Sequence, residues 1–298
     1  MIKKLSELVD LARAKKTRRI SVAGAGDYEV LVALKQAQEM RIVTPILIGI
    51  QEKIEKISAE IDFDISGLEL IDVEDRYEAS LKAAHLVRDG QAEILMKGLV
   101  SSQHILKAVL NKEHGLRKGE IISHVAFFES PYYHKILGLS DAAMNVSPTF
   151  EEKISIINNA VEAFHLLGVE EPRVAVVGSV ETINPRMEAT MHAATLSMMN
   201  KRKQIRGCVI DGPLALDNAV SKKSAELKHI ESPVAGDVDL IIAPDINGAN
   251  FLYKALNFLG GATSAAVIMG ARVPVVLTSR ADSEKSKYLS IALAAAIG

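Results

Sequence analysis

The chain has 298 residues, of which 48% are apolar, with 35 Lys+Arg against 37 Asp+Glu. That near-neutral balance excludes a general nucleic-acid binder, which needs a basic surface, and the length points to about two domains. Cys208 is the only cysteine, so no disulfide forms within the chain and a reducing compartment is expected.

The first segment, Met1 to Glu7, lacks the apolar core of a signal peptide. No run reaches the roughly 18 apolar residues of a membrane span. A soluble, cytoplasmic protein is expected, with neither nucleic acid nor membrane as partner. Strands and helices then alternate. Arg18 to Ala23 reads as a strand ending at Gly24, and Val30, Leu31, Leu34 and Ala37 form a helical stripe. Strands follow at Pro45 to Gly49 and Leu68 to Val73, then a helix from about Asp75 to Arg88. Glu93 to Lys97 is the next strand, with Ser101 or Ser102 as N-cap of the helix after it. Ile121 to Asn145 reads as two strands joined by a turn at Ser130-Pro131-Tyr132-Tyr133. Ile154, Ile157, Val161 and Phe164 mark a long helix that stops at Gly168. Further strands are expected at Arg173 to Val177, Cys208 to Asp211, Val238 to Ala243, Ala265 to Met269 and Val273 to Leu277, with a last helix from about Asp282. Such alternation with short connections predicts an α/β protein of two doubly wound domains.

Ligands in open α/β sheets bind beyond the carboxyl ends of the strands. Two such ends are rich in polar groups. Val238 to Ala243 runs into Pro244-Asp245-Ile246-Asn247-Gly248-Ala249-Asn250, and Val273 to Leu277 runs into Thr278-Ser279-Arg280 with Asp282-Ser283 beyond. An arginine beside a helix N-terminus suits a phosphate. Lys97-Gly98 ends a third strand, where a lysine can face an anion and a glycine permits close backbone approach; the alternative is a solvated lysine. Gly24-Ala25-Gly26 lacks the third glycine of a dinucleotide fingerprint, because Glu29 stands there. The eight histidines show no metal spacing, so no metal site is expected. Gly207-Cys208-Val209-Ile210 places the cysteine on an apolar strand, where a buried thiol is expected.

These residues also carry a resemblance. The P-D-x-N-x-x-N turn at Pro244 to Asn250, Gly260-Gly261-Ala262 with Ser264, and Pro274-Val275-Val276-Leu277-Thr278-Ser279-Arg280-Ala281-Asp282-Ser283 are similar to the phosphate acetyl/butyryltransferases, on their butyryl branch. The likeness extends to Ile20-Ser21-Val22-Ala23 with Asp27, Leu95-Met96-Lys97-Gly98-Leu99-Val100, Val180-Glu181 with Asn184-Pro185-Arg186-Met187, and Asp211-Gly212-Pro213-Leu214. The resemblance implies a layout like that of isocitrate or isopropylmalate dehydrogenases. Residues 1–145 plus 279–298 would form one domain and 146–278 the other, with a cleft between them.

It also implies reversible transfer of a short acyl group, butyryl first, from acyl-CoA to inorganic phosphate. The CoA thiolate and acyl phosphate would meet in a ternary complex, with no covalent acyl-enzyme and no cofactor beyond CoA as substrate and product. Partners would be acyl-CoA, phosphate, acyl phosphate and further copies of the chain, as dimers or multiples of dimers. Ser279 and Arg280 would stabilise the transition state and hold phosphate. Lys97, Gly98, Asn184, Asn247 and Asn250 would bind substrate. Acetyl-specific relatives carry a catalytic aspartate seven residues beyond the serine, where this chain has Ser286. Asp282 is therefore the candidate third catalytic residue, with a helix cap as its alternative. Other readings are a phosphate acetyltransferase, a non-catalytic sensor of acyl-CoA or acyl phosphate, and a metal- and nicotinamide-dependent dehydrogenase.

Overall fold

A computed structural model describes residues 2–111, 115–119, 121–279 and 282–298. In chain order, α1 (Glu7–Arg13), β1 (Arg18–Ala23), α2 (Tyr28–Glu39), β2 (Val43–Gly49), α3 (Gln51–Glu60), β3 (Glu69–Asp72), α4 (Arg76–Arg88), β4 (Ile94–Lys97) and α5 (Ser102–Val109) come first. Next are β5 (Ser123–Glu129), β6 (Leu137–Ser140), α6 (Phe150–Leu166), β7 (Arg173–Val177), α7 (Glu188–Lys201), β8 (Val209–Leu214), α8 (Leu216–Val220), α9 (Lys222–Leu227), β9 (Leu240–Ile242) and α10 (Ile246–Phe258). β10 (Thr263–Met269), β11 (Val275–Val276) and α11 (Glu284–Ile297) follow.

The chain divides into two compact units. One holds Leu5–Glu120 with Ala265–Gly298, the other Met1–Lys4 with Ile121–Ser264. Residues 121–145 thus group with the unit that follows them, and 265–278 with the discontinuous first unit, where the sequence placed the breaks at 145 and 278. The cause is strand pairing: β5 and β6 form an antiparallel pair, and β11 lies parallel to β4 far upstream.

In the discontinuous unit the strand order is β3-β2-β1-β4-β11-β10, parallel except for β10 against β11. The order reverses between β1 and β4, a topological switch point. β4 is buried throughout and β1 over its last four residues, as expected of strands covered on both faces. Helices start on side-chain caps: Asp27 for α2, Asp75 for α4 and Ser101 for α5, each satisfying first-turn N–H groups. α11 is buried from Ser286 to Ile297 except at the half-buried Tyr288, and packs on α1 and α2. Its Leu293 is inaccessible, and burying one such side chain stabilises by about 1.5–3 kcal/mol.

In the other unit the order is β5-β6-β9-β7-β8, with β6, β9, β7 and β8 parallel. α6 begins with a reciprocal capping box between Thr149 and Glu152. Cys208 is 4% exposed, and burial pushes its thiol up to about 11, which keeps it an unreactive core thiol. Among the described residues no helix is long and apolar enough to cross a membrane.

Candidate active site

At the strand ends of the discontinuous unit, two turns touch. Gly98 N–H donates to Ala23 O and Leu99 N–H to Gly24 O, at 2.9 and 2.7 Å. A Cβ at Gly98 would overlap the Gly24 carbonyl oxygen, and Gly24 itself has φ +71°. Glycine at 98 is thus required by the neighbouring backbone, not only by an approaching ligand. Lys97 is no solvated lysine: it is 6% exposed, and its Nζ donates to the carbonyls of Gly98 and Val100 at 3.3 and 3.4 Å.

β11 lies beside β4, with Val275 opposite Leu95 and Val276 opposite Met96. Its exit therefore brings Thr278 and Ser279 to the strand end where Lys97 and Gly98 stand. Ser279 N–H donates to Asp282 Oδ2 at 2.7 Å, and Asp282 is 9% exposed. The cap of α11 is Ser283, whose hydroxyl accepts Ser286 N–H at 3.2 Å. Asp282 is thus no helix cap; its carboxylate braces the Ser279 backbone. The Ser286 hydroxyl bonds that of Ser283 at 3.2 Å. Lys287, 3% exposed, donates to Asp282 O at 2.5 Å and pairs with Glu29 of α2, tying the turn to the unit's core. Arg280 lies outside the described residues.

The other unit carries the asparagines at adjacent strand ends. Asp245, following β9, accepts Gly248 N–H at 2.9 Å and caps α10. Asn247 and Asn250 therefore lie on the first two turns of a helix, not in the loop the sequence suggested. Asn250 Nδ2 donates to Ala142 O at 3.0 Å, whereas the Asn247 side chain is exposed. Beyond β7, Asn184 Oδ1 accepts Arg186 N–H at 3.0 Å and its backbone is held by Thr190. Asn184 and Asn250 thus use their side chains on backbone groups.

One polar pair at this edge escaped the sequence reading. Lys153 on α6 is 4% exposed, and its Nζ stands 3.0 Å from His192 Nδ1 on α7. Burial lowers the Lys153 ammonium's pKa, with the Glu188 and Asp245 carboxylates pulling it back. Burial, then Lys153, lowers that of His192. The signal was there: Lys153 is in phase with Ile157, Ala160 and Phe164 on the buried face. Among the described residues no cluster of histidine, cysteine and carboxylate groups could hold a metal.

Residues 74–295 match the family described as phosphate acetyl/butaryl transferase. The chain belongs to that family. It is 44% identical over 297 residues to the phosphate butyryltransferase of Clostridium beijerinckii, covering 100% of this chain and 98% of that protein. It is 45% identical over 291 residues to the phosphate acetyltransferase of Thermotoga maritima, covering 98% of each. The fold matches a branched-chain phosphotransacylase from Enterococcus faecalis V583 with a TM-score of 0.83 and 33% identity, over 93% of this chain and 98% of that one. As a family member the chain is a phosphate acyltransferase, an enzyme moving an acyl group reversibly between CoA and phosphate.

Proposed function

We propose that the acyl group is a short chain of about four carbons, and that transfer proceeds by direct attack in a ternary complex. The observation that carries this reading is the Ser279 turn: a serine braced by a buried carboxylate at the exit of β11, beside the end of β4. A fixed hydroxyl at a strand end suits hydrogen bonding to charge that develops on the thioester oxygen or thiolate. Arg280 then grips phosphate oxygens in bidentate fashion, and Lys97 adds positive charge from the neighbouring strand end. Asp282 serves by positioning Ser279. Gly98, Asn184, Asn247 and Asn250 complete the proposed substrate-binding set. Holding both reactants together supplies proximity, worth up to roughly 7–11 kcal/mol. Coenzyme A is substrate and product, with no further cofactor, and the single cysteine fits the cytoplasm.

The butyryl preference rests on the likeness to the Clostridium beijerinckii butyryltransferase and on the Ser279-to-Ser283 ending. The comparable identity to an acetyltransferase favours acetyl as the second reading. Two extra methylenes buried at about 0.8 kcal/mol each favour butyryl over acetyl by roughly tenfold. Phosphate-dependent CoA release across acetyl-, propionyl-, butyryl- and branched acyl-CoA tests this. A kcat/KM for acetyl-CoA equal to or above that for butyryl-CoA would move the protein to the acetyl branch.

We further propose a homo-oligomer assembled through α10. That helix buries only Ala249 and exposes Phe251 at 73%, Phe258 at 63% and the adjoining Leu259 at 87%. Beside it, a cavity of about 940 Å³ is lined by Leu252, Leu256, Leu216, Val220 and Tyr132. Exposed apolar surface of this kind marks interaction sites.

A further inference from the structure

Lys287 stands where local physics opposes a lysine. It is 3% exposed, so its ammonium has been taken out of water. Its N–H donates to the carbonyl of the cap residue Ser283 at 3.0 Å, which places it at the end of the first turn of α11. There the positive end of the helix dipole disfavours a cation. A methionine would fill the same space with neither penalty. What the lysine adds is a link. Its Nζ donates to Asp282 O at 2.5 Å and pairs with the Glu29 carboxylate on the first turn of α2.

Asp282 closes the catalytic turn on itself. Its N–H donates to Ser279 O at 3.3 Å, while its carboxylate accepts Ser279 N–H at 2.7 Å. Such a reciprocal pair fixes the shape of the turn but not its orientation within the unit; the Lys287 bond to Asp282 O supplies that. At the far end, Glu29 directly follows the turn in which Asp27 caps α2 and Gly24 O accepts Leu99 N–H. The path Ser279–Asp282–Lys287–Glu29–Gly24–Leu99 therefore runs from the exit of β11 to the exit of β4. Each step is a hydrogen bond, an ion pair or a few residues of backbone.

We propose that Lys287 is a positioning residue for acyl transfer: held by Glu29, it orients the Ser279–Asp282 turn against the end of β4. The proposal rests on the reading that this turn acts in the transfer, and its test separates the two. Small misplacements of reacting groups are costly, so Lys287→Met should lower kcat tenfold or more in the phosphate-dependent assay. KM for acyl-CoA and for phosphate should stay within about threefold. Its melting temperature should equal or exceed the parent's, as when an apolar side chain replaces a buried ion pair. The Glu29 side chain is 44% exposed, so its variants leave the core intact. Glu29→Gln keeps an acceptor for the ammonium and should hold kcat within about threefold, whereas Glu29→Leu should lose tenfold or more. Because the lysine works through the turn, Lys287→Met should add less than twofold to the loss in Ser279→Ala. A Lys287→Met variant with the parent's kcat overturns the proposal and leaves the serine untouched. Losses that multiply in the double variant also overturn it, as does a Glu29→Leu variant with the parent's kcat. Parent-like turnover in Ser279→Ala beside a deficient Lys287→Met would remove the serine and uphold the lysine as acting through the rest of the turn.

Discussion

Ser279 is held through its backbone N–H by the Asp282 carboxylate. Ser279→Ala should therefore keep the turn, because the Asp282 carboxylate grips the N–H and not the side chain. Its turnover should fall about 10²–10³-fold, the usual cost of one lost oxyanion donor. Arg280→Ala should fall comparably. Near-normal steady-state rates in both would remove these residues from the site. Asp282 is expected to act through geometry. Asp282→Asn keeps an acceptor oxygen for the Ser279 N–H, so its kcat should stay within about threefold of the parent, whereas Asp282→Ala should lose tenfold or more. If asparagine is as damaging as alanine and the pH–rate profile loses its alkaline rise, the carboxylate is the base that takes the thiol proton.

Among the elements, α6 and α7 carry an unusual load in the Lys153–His192 pair. Folding lowers the proton affinity of both groups, so the unfolded chain binds more protons than the folded one and stability falls as pH is lowered. For Lys153 the loss lies below the ordinary lysine value of 10.5, and for His192 below 6.5. Glu188, Asp245 and Glu151 face the pair and soften the effect. Lys153→Met should flatten the dependence of melting temperature on pH below 10.5, as expected when an apolar side chain replaces a buried charge. A variant with the parent's slope would refute this. The same helices show what the sequence disclosed. The stripe Ile157, Val161 and Phe164 located α6, because a buried face needs helical spacing. Lys153 hid because a lysine in a first turn reads as solvated. The turn at Pro244 announced a ligand-end cluster, yet the Asp245 cap starts α10 early enough to make Asn247 and Asn250 helical. Likewise Asp282 had a helix cap as its alternative reading, and hydrogen bonding gives that cap to Ser283 instead.

For the whole molecule, the α/β class was legible because strand and helix periods alternate with short connections. The unit boundaries were not, because β11 pairs with β4 across a long stretch of sequence, and no local pattern encodes that. Self-association is the testable property at this scale. Phe258→Glu/Leu259→Glu should lower the solution mass to that of a monomer at micromolar concentration, with secondary structure intact by circular dichroism, since both side chains are exposed. A monomeric parent would remove the oligomer outright.

The discontinuity of the first unit has a consequence for the living cell. Ser279 and Lys97 come to neighbouring strand ends only when β11 slots in beside β4, yet the ribosome makes β4 long before β11. Until then β4 has an open edge, while the intervening unit already has all its strands. A nascent chain thus passes through a stage with one unit complete and the Ser279 turn not yet beside Lys97.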